Sequence, residues 1–149
     1  MAKFVLDTNV FIHAIRSDEA RRALAAWQRQ MGPHLYQHAV VVSELLVGAR
    51  NEETFDRWHE RWVAPAERLG RVITPTYTAW SRAARIITRL VQAGHLTAGA
   101  VAPSFFHDCL LAASARDHGY ILVTHNLDDF GLIARVEPQL SFLPPFPAG

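Results

Sequence analysis

The sequence predicts an α/β sandwich built around a mostly parallel sheet. Two observations carry this expectation: short apolar runs of strand length alternate with longer amphipathic segments of helical period, and the strand candidates are continuous apolar runs of the buried type. A third bounds it. In 149 residues, half of them apolar and 19% charged, there is chain enough for one sizeable core and not for two. The expected organisation is a single domain over residues 1–149 that ends in a proline-rich tail at 143–149, with no internal repeat and no linker.

Lys3 to Asp7 reads as a short buried strand that ends on an acid, after which Thr8 and Asn9 are candidate helix N-caps. Asp18 to Gln30 is helical: Leu24 and Trp27 lie three apart, Arg21, Arg22 and Arg29 take polar positions, and Gly32-Pro33 breaks the pattern. Valine-rich residues 35–42 read either as a second strand or as the entry to a helix that Ser43 caps and Gly48 closes, which puts Glu44 in a first helical turn. Asn51 to Leu69 is an amphipathic helix with Phe55, Trp58 and Trp62 on one face, and Pro65 disturbs its last turn. Arg71 to Thr74 is a short strand stopped by Pro75, and Tyr77 to Gln92 is helical up to Gly94. After a loop at 96–103, Ser104 is the candidate cap of a helix that runs to Gly119, with Asp108 in or just past its first turn. Tyr120 to Thr124 is another buried strand, followed by the polar turn HNLDDF.

Composition excludes several classes. A lone cysteine, Cys109, can close no internal disulfide and points to no thiolate zinc site, so a cytoplasmic location is expected. The opening MAKFVLDTNVFIHAI has an acid inside its apolar stretch and no small-residue cleavage site, unlike a signal peptide. No apolar run approaches the roughly 20 residues that span a bilayer, so no membrane partner is expected. Nucleotide-binding glycine loops and the serine-hydrolase elbow are missing from the sequence. The formal net charge is +1, but fourteen of the fifteen basic residues are arginine, Lys3 being the exception. The guanidinium fork matches phosphate geometry, so this bias permits a nucleic-acid partner without demanding one.

Four acids stand in apolar company: Asp7 between FVL and TNVFI, Glu44 between VVVS and LLV, Asp108 between FFH and CLLAA, and Asp129 before Phe130. Singly, an acid near a helix start is explained by the helix dipole, which favours it by a few tenths to about 1 kcal/mol. Together they say more, because the carboxyl ends of strands and the helix starts that follow them lie along one edge of an open α/β sheet. Carboxylates gathered there lose hydration and repel one another unless a cation joins them. Oxygen-only ligands suit a hard divalent ion, Mg²⁺ or Mn²⁺, and such an ion is suited to hydrolysing phosphodiesters.

These residues together resemble the PIN domain family and, in size and motif style, its VapC toxins. The pieces are the opening strand with DTNVFI, the SELLVGA helix start with Glu44, the HDCLLAASA helix with Asp108, and the late THNLDDF turn, in that order over nearly the whole chain. The resemblance implies a three-layer α/β/α fold and a Mg²⁺- or Mn²⁺-dependent endoribonuclease that leaves a 5′-phosphate and a 3′-hydroxyl. It also implies a small antitoxin that lays a helix in an apolar groove and pushes a basic side chain towards the acids, and a homodimer. On it, Asp7, Glu44 and Asp108 take the three central acidic positions, catalytic and metal-holding. The fourth falls in the late turn at Asn126 or Asp129, with Asp129 the expected acid and Asn126 a polar neighbour that can hold a water. Thr124, in the family's hydroxyl position after the last strand, either orients a ligand or water or caps its own backbone. His107 stands where many relatives have asparagine, either as a second-layer or RNA contact or as an ordinary surface histidine.

Other features are weaker. His34 and His38 are four apart but lack a third zinc ligand. Arg82, Arg85 and Arg89 form a stripe that reads first as a solvated face and second as a phosphate contact. The aromatic stripe reads as core or, if exposed, as a groove for a partner helix. Two rival functions stay open: a non-catalytic PIN-like RNA-binding or scaffold module, and an α/β phosphatase with a strand-end aspartate nucleophile. The phosphatase would favour a general acid two residues after Asp7, where Asn9 stands.

Overall fold

Phe4, Val5 and Leu6 are buried almost completely, so β1 (Lys3–Leu6) occupies the middle of the sheet, where a strand is covered on both faces. It lies parallel to β4 (Tyr120–Val123) over all four residues, from Lys3 opposite Tyr120 to Leu6 opposite Val123, and parallel to β2 (Leu35–His38) on its other side. The short β3 (Val72–Ile73) and β5 (Phe142–Leu143) complete a five-stranded parallel sheet in the order β3-β2-β1-β4-β5. A computed structural model describes this architecture over residues 2–146. The α/β fold expected from the sequence is therefore present, with helices flanking a parallel sheet.

The chain moves outward from β1 through β2 to β3 and returns on the other side to β4, so the strand order reverses between β1 and β4. A crevice opens at the carboxyl ends of strands beside such a reversal. The helices α1 (Thr8–Arg16), α2 (Asp18–Met31) and α3 (Ala39–Val47) pack together near β1 and β2, and α6 (Tyr77–Gln92) packs along α7 (Pro103–His118), which also contacts β4 and α8 (Leu127–Ala134). The seven consecutive residues Cys109 to Ala115 of α7 are all buried, so this helix is covered on every side, with Leu110 and Leu111 filling space and the small Cys109, Ala112, Ala113, Ser114 and Ala115 leaving room for close neighbours.

Several local expectations are corrected. Asp7 itself, rather than Thr8 or Asn9, caps α1. The valine run enters a helix early: His38, rather than Ser43, is the N-cap of α3, with its Nδ1 accepting from the Val40 N–H at 3.1 Å, and Glu44 lies in the second turn. Ser43 instead donates to the Val40 carbonyl at 2.9 Å. The modest helix penalty of β-branched residues is outweighed by burial of Val40 and Val41. The stretch 51–69 breaks into α4 (Glu52–Trp58), a π-helical turn (His59–Val63) and α5 (Ala64–Arg68). Pro65 falls in the first turn of α5, where its missing N–H costs nothing.

Ala102 precedes α7 and Pro103 opens it, so Ser104 lies inside the helix rather than capping it, while Gly119 ends it in the left-handed conformation at φ 67°. The HNLDDF turn is the start of α8, capped by Asn126. The tail expected from residue 143 begins a residue too early, since Leu143 still pairs with Val123. Its last three residues, Pro147, Ala148 and Gly149, lie outside the described residues.

Candidate active site

Asp7 is where β1 stops and α1 starts, and it is tied to both. Its backbone N–H donates to the Val123 carbonyl at 2.9 Å, and its Oδ1 accepts from the Thr8 N–H at 2.8 Å. Its Oδ2 accepts from the Thr124 hydroxyl at 2.7 Å and the Asn9 amide at 3.2 Å. Thr124 follows β4 and is fully buried; its oxygen also accepts from the Asn126 N–H at 2.9 Å. The hydroxyl thus caps its own turn, one of the two roles the sequence left open, and in addition holds a carboxylate oxygen.

Glu44 reaches the crevice from α3, where Oε1 accepts from the Thr8 hydroxyl at 2.9 Å and Oε2 lies 3.3 Å from His107 Nδ1. His107, half-exposed on α7, is therefore partnered with an acid of the crevice rather than turned to solvent alone. Asp108 comes from the next position of α7 and Asp129 from α8. The Asn126 amide spans them, donating to Asp108 Oδ2 at 3.3 Å and to Asp129 Oδ2 at 3.0 Å. Asp7, Glu44, Asp108 and Asp129 all line one open cavity of about 400 Å³, with Asn126 between two of them. Asp129 and Asn126 thus share the late turn's place in the crevice, one as the acid and the other as its amide bridge.

Electrostatically the crevice is acidic on balance, four carboxylates facing the single guanidinium of Arg16 among the described residues that line it. Among the described residues no lysine or arginine forms an ion pair with Asp7, Glu44, Asp108 or Asp129. Burial pushes the Asp108 carboxyl up to about 8, with Asp7, Asp129 and Glu44 adding to the rise. Burial also raises Asp7, against the hydrogen bonds from Thr124, Thr8 and Asn9 that favour its charged form, while Glu44 adds to the rise. The donor set is oxygen from four carboxylates, which fits a hard divalent cation. The acids face one space without closing on it: no three His, Cys, Asp or Glu side chains among the described residues are gathered into a ready-made ion cage.

Other candidates fall away from this crevice. His38 is buried as a helix cap, and burial lowers its pKa to about 4 with the nearby His118 contributing, while His34 lies in the short 3₁₀ turn Gly32–His34. Cys109 is enclosed in the core, and burial pushes its thiol up to about 12, far from a nucleophile's range. Arg82 turns inward to the buried Glu137 at 3.4 Å, leaving Arg85 and Arg89 exposed. Of the aromatic stripe, Trp62 is core and Phe55 is 41% exposed.

Sequence reasoning missed the contribution of α1. Asn9 donates to Asp7, lies 3.3 Å from the Thr124 hydroxyl, and accepts from the His125 N–H at 3.1 Å, bracing the crevice from three sides. His13 and Arg16, four and seven residues further along the same helix, also line the cavity. The signal was the DTN triplet: with a helix starting at Thr8, positions 9, 13 and 16 share one face.

The family model for the PIN domain matches residues 4–136, a span that includes all four acids. No curated protein matches the sequence closely enough to count as a relative. Among solved structures, the fold is similar to that of the DNA-bound VapBC from Salmonella typhimurium, which is 24% identical, with 97% of this chain and 98% of that one covered at a TM-score of 0.72. FitAcB from Neisseria gonorrhoeae is 20% identical, with 94% and 96% covered at 0.68. A toxin–antitoxin complex from Klebsiella pneumoniae is 21% identical, with 99% and 100% covered at 0.57.

Proposed function

The chain belongs to the PIN domain family, and from that premise we propose that it is a Mg²⁺- or Mn²⁺-dependent endoribonuclease, the toxin of a VapBC-type toxin–antitoxin pair. The observation that carries this reading is the convergence of four carboxylates on one crevice where no lysine or arginine among the described residues pairs with any of them. Asp7, Glu44, Asp108 and Asp129 would hold the cation. When bound, it supplies positive charge that lowers the pKa of an attacking water and offsets charge on the phosphoryl oxygens. Hydrolysis adds that water across the P–O3′ bond of RNA and leaves a 5′-phosphate and a 3′-hydroxyl.

The chain's own residues prepare the crevice. Thr124 and Asn9 hold Asp7 Oδ2, and Thr8 holds Glu44 Oε1, so these donor oxygens are aimed before any ligand arrives. Asn126 keeps Asp108 and Asp129 near each other with a neutral amide. His107, at 3.3 Å from Glu44, is placed to hold that carboxylate in the position that the resemblance gives to asparagine.

The proposed partners are RNA, an antitoxin and a second copy of the chain, in the cytoplasm. Support for the antitoxin is an apolar groove of about 700 Å³ between α3 and the α4–α5 segment, where Val47 is 83% exposed and Phe55 shows its ring, a surface suited to an amphipathic helix. No helix among the described residues is long and apolar enough to cross a membrane.

The open spacing of the acids favours one second reading, a PIN-like module that binds RNA or scaffolds without cutting it. Purified protein incubated with single-stranded RNA separates the two. Cleavage that needs Mg²⁺ or Mn²⁺, stops with chelator and is lost in Asp7→Ala is the expected result. Cleavage that survives both chelator and substitution rejects the metal mechanism, and binding without cutting under all conditions selects the second reading.

A further inference from the structure

Beside the acids, two imidazoles from distant parts of the chain lie face to face. The rings of His13, from α1, and His125, from the turn between β4 and α8, are 4.1 Å apart at their centroids and 16° from parallel. Both residues are exposed. The helix dipole accounts for a basic residue in the last turn of α1, but it does not account for a second ring brought onto it from residue 125. The main chain that carries that ring is held by Asn9, which accepts from the His125 backbone N–H at 3.1 Å and donates to Asp7 Oδ2 at 3.2 Å. The same side chain therefore ties the turn bearing His125 to the central acid. Arg16 lines the cavity from the next turn of α1 and pairs with no carboxylate among the described residues.

We propose that the His13–His125 stack is a platform for the nucleobase next to the scissile phosphate, with Arg16 receiving the adjoining backbone phosphate. This rests on the nuclease reading of the crevice and adds how a single strand is gripped there. A flat exposed ring pair at the rim of an acidic pocket attracts little by charge, but a base offers it a π-face whatever the base's identity. A guanidinium one turn away supplies the attraction to the strand that the acids cannot. The arrangement suits an unpaired strand, because in a duplex both faces of a base are already stacked.

The test uses a fluorescein-labelled single-stranded RNA of mixed sequence and a series in which one nucleotide at a time lacks its base. Binding is read by anisotropy in Mn²⁺ with the Asp7→Ala protein, which leaves the RNA whole, and cleavage is read with native protein. Removing one particular base is expected to weaken binding roughly fivefold to a hundredfold, and His13→Ala/His125→Ala is expected to cost a similar factor. In that double variant the missing base should no longer matter, whereas His13→Phe/His125→Phe should restore the penalty and Mn²⁺ affinity should stay unchanged. Arg16→Ala should weaken every RNA of the series equally and flatten the salt dependence. If the double alanine variant keeps the full missing-base penalty, or no position of the series matters to the native rings, the platform is overturned even where metal-dependent cleavage stands. RNA that is held through the rings yet never cut by native protein would overturn the nuclease reading and leave the platform.

Discussion

Glu137 and Asp7 are buried to nearly the same degree, 3% and 4% exposed, and the molecule treats the two carboxylates in opposite ways. Around Glu137 it brings its own cations, Arg82 of α6 at 3.4 Å and Arg116 of α7 at 3.9 Å. Around Asp7 it gathers three further acids and answers them with hydroxyls, amides and a half-exposed histidine. A buried charge without a counter-charge costs several kcal/mol, so the first arrangement is complete within the chain and the second is not. The informative feature is therefore the missing ion pair to an arginine or lysine among the described residues rather than the number of acids.

Three experiments break or sharpen that contrast. Asp108→Asn removes one acid while keeping its shape and an oxygen for Asn126. RNA cleavage is expected to fall at least about a hundredfold, near 3 kcal/mol in the barrier, while the metal-free protein melts no lower than native because the unfolded chain no longer gains by ionising a carboxyl that the fold keeps protonated. A variant that cuts at the native rate would remove the functional half of the comparison. Next, Glu137→Gln leaves Arg82 facing a neutral amide in a buried site. The expected loss is about 2–3 kcal/mol, below the usual cost of breaking a buried pair because Arg116 is half-exposed. It should be read from the denaturant midpoint, with Mn²⁺ affinity unaltered; an unmoved midpoint would mean that this cluster holds nothing together.

The last effect, the smallest per unit step, is that of pH. With its pKa raised from 3.8 to about 8, Asp108 keeps a proton in the folded chain that the unfolded chain has already released. Its contribution to stability is complete below pH 3.8 and is lost as pH rises towards 8, at no more than about 1.4 kcal/mol per pH unit. Asp7 acts in the same direction. Metal-free protein should therefore lose melting temperature over this window, less so in Asp108→Asn, and added Mn²⁺ should raise the melting temperature more at pH 8 than at pH 5. A Mn²⁺ shift that is the same at both values would contradict the acidic crevice.

The acids were legible because charge inside an apolar run is conspicuous in one dimension, and Asp7, Glu44, Asp108 and Asp129 do reach one cavity. What supports them was harder to read. The run AVVVSELLV favours a strand by propensity, so the helix start at Ala39 depends on a cap from His38 that only the fold reveals. Thr124 and Asn9 lie 115 residues apart and meet because β1 and β4 are neighbours. His13 and His125 meet for the same reason, and no periodicity connects them. Likewise β5 hides beside prolines, because two residues of pairing leave too little pattern to see.

One consequence follows from the way α7 is enclosed. Asp108 is followed directly by seven residues embedded on all sides, so its carboxylate stands on the part of the molecule least able to shift. Whatever contraction a captured ion demands must then fall on the lighter opposite bank, the turn from Thr124 to Asp129 and the opening of α1. The crevice works as a vice with one fixed jaw, and slow amide exchange in α7 beside faster exchange across that turn would be its signature.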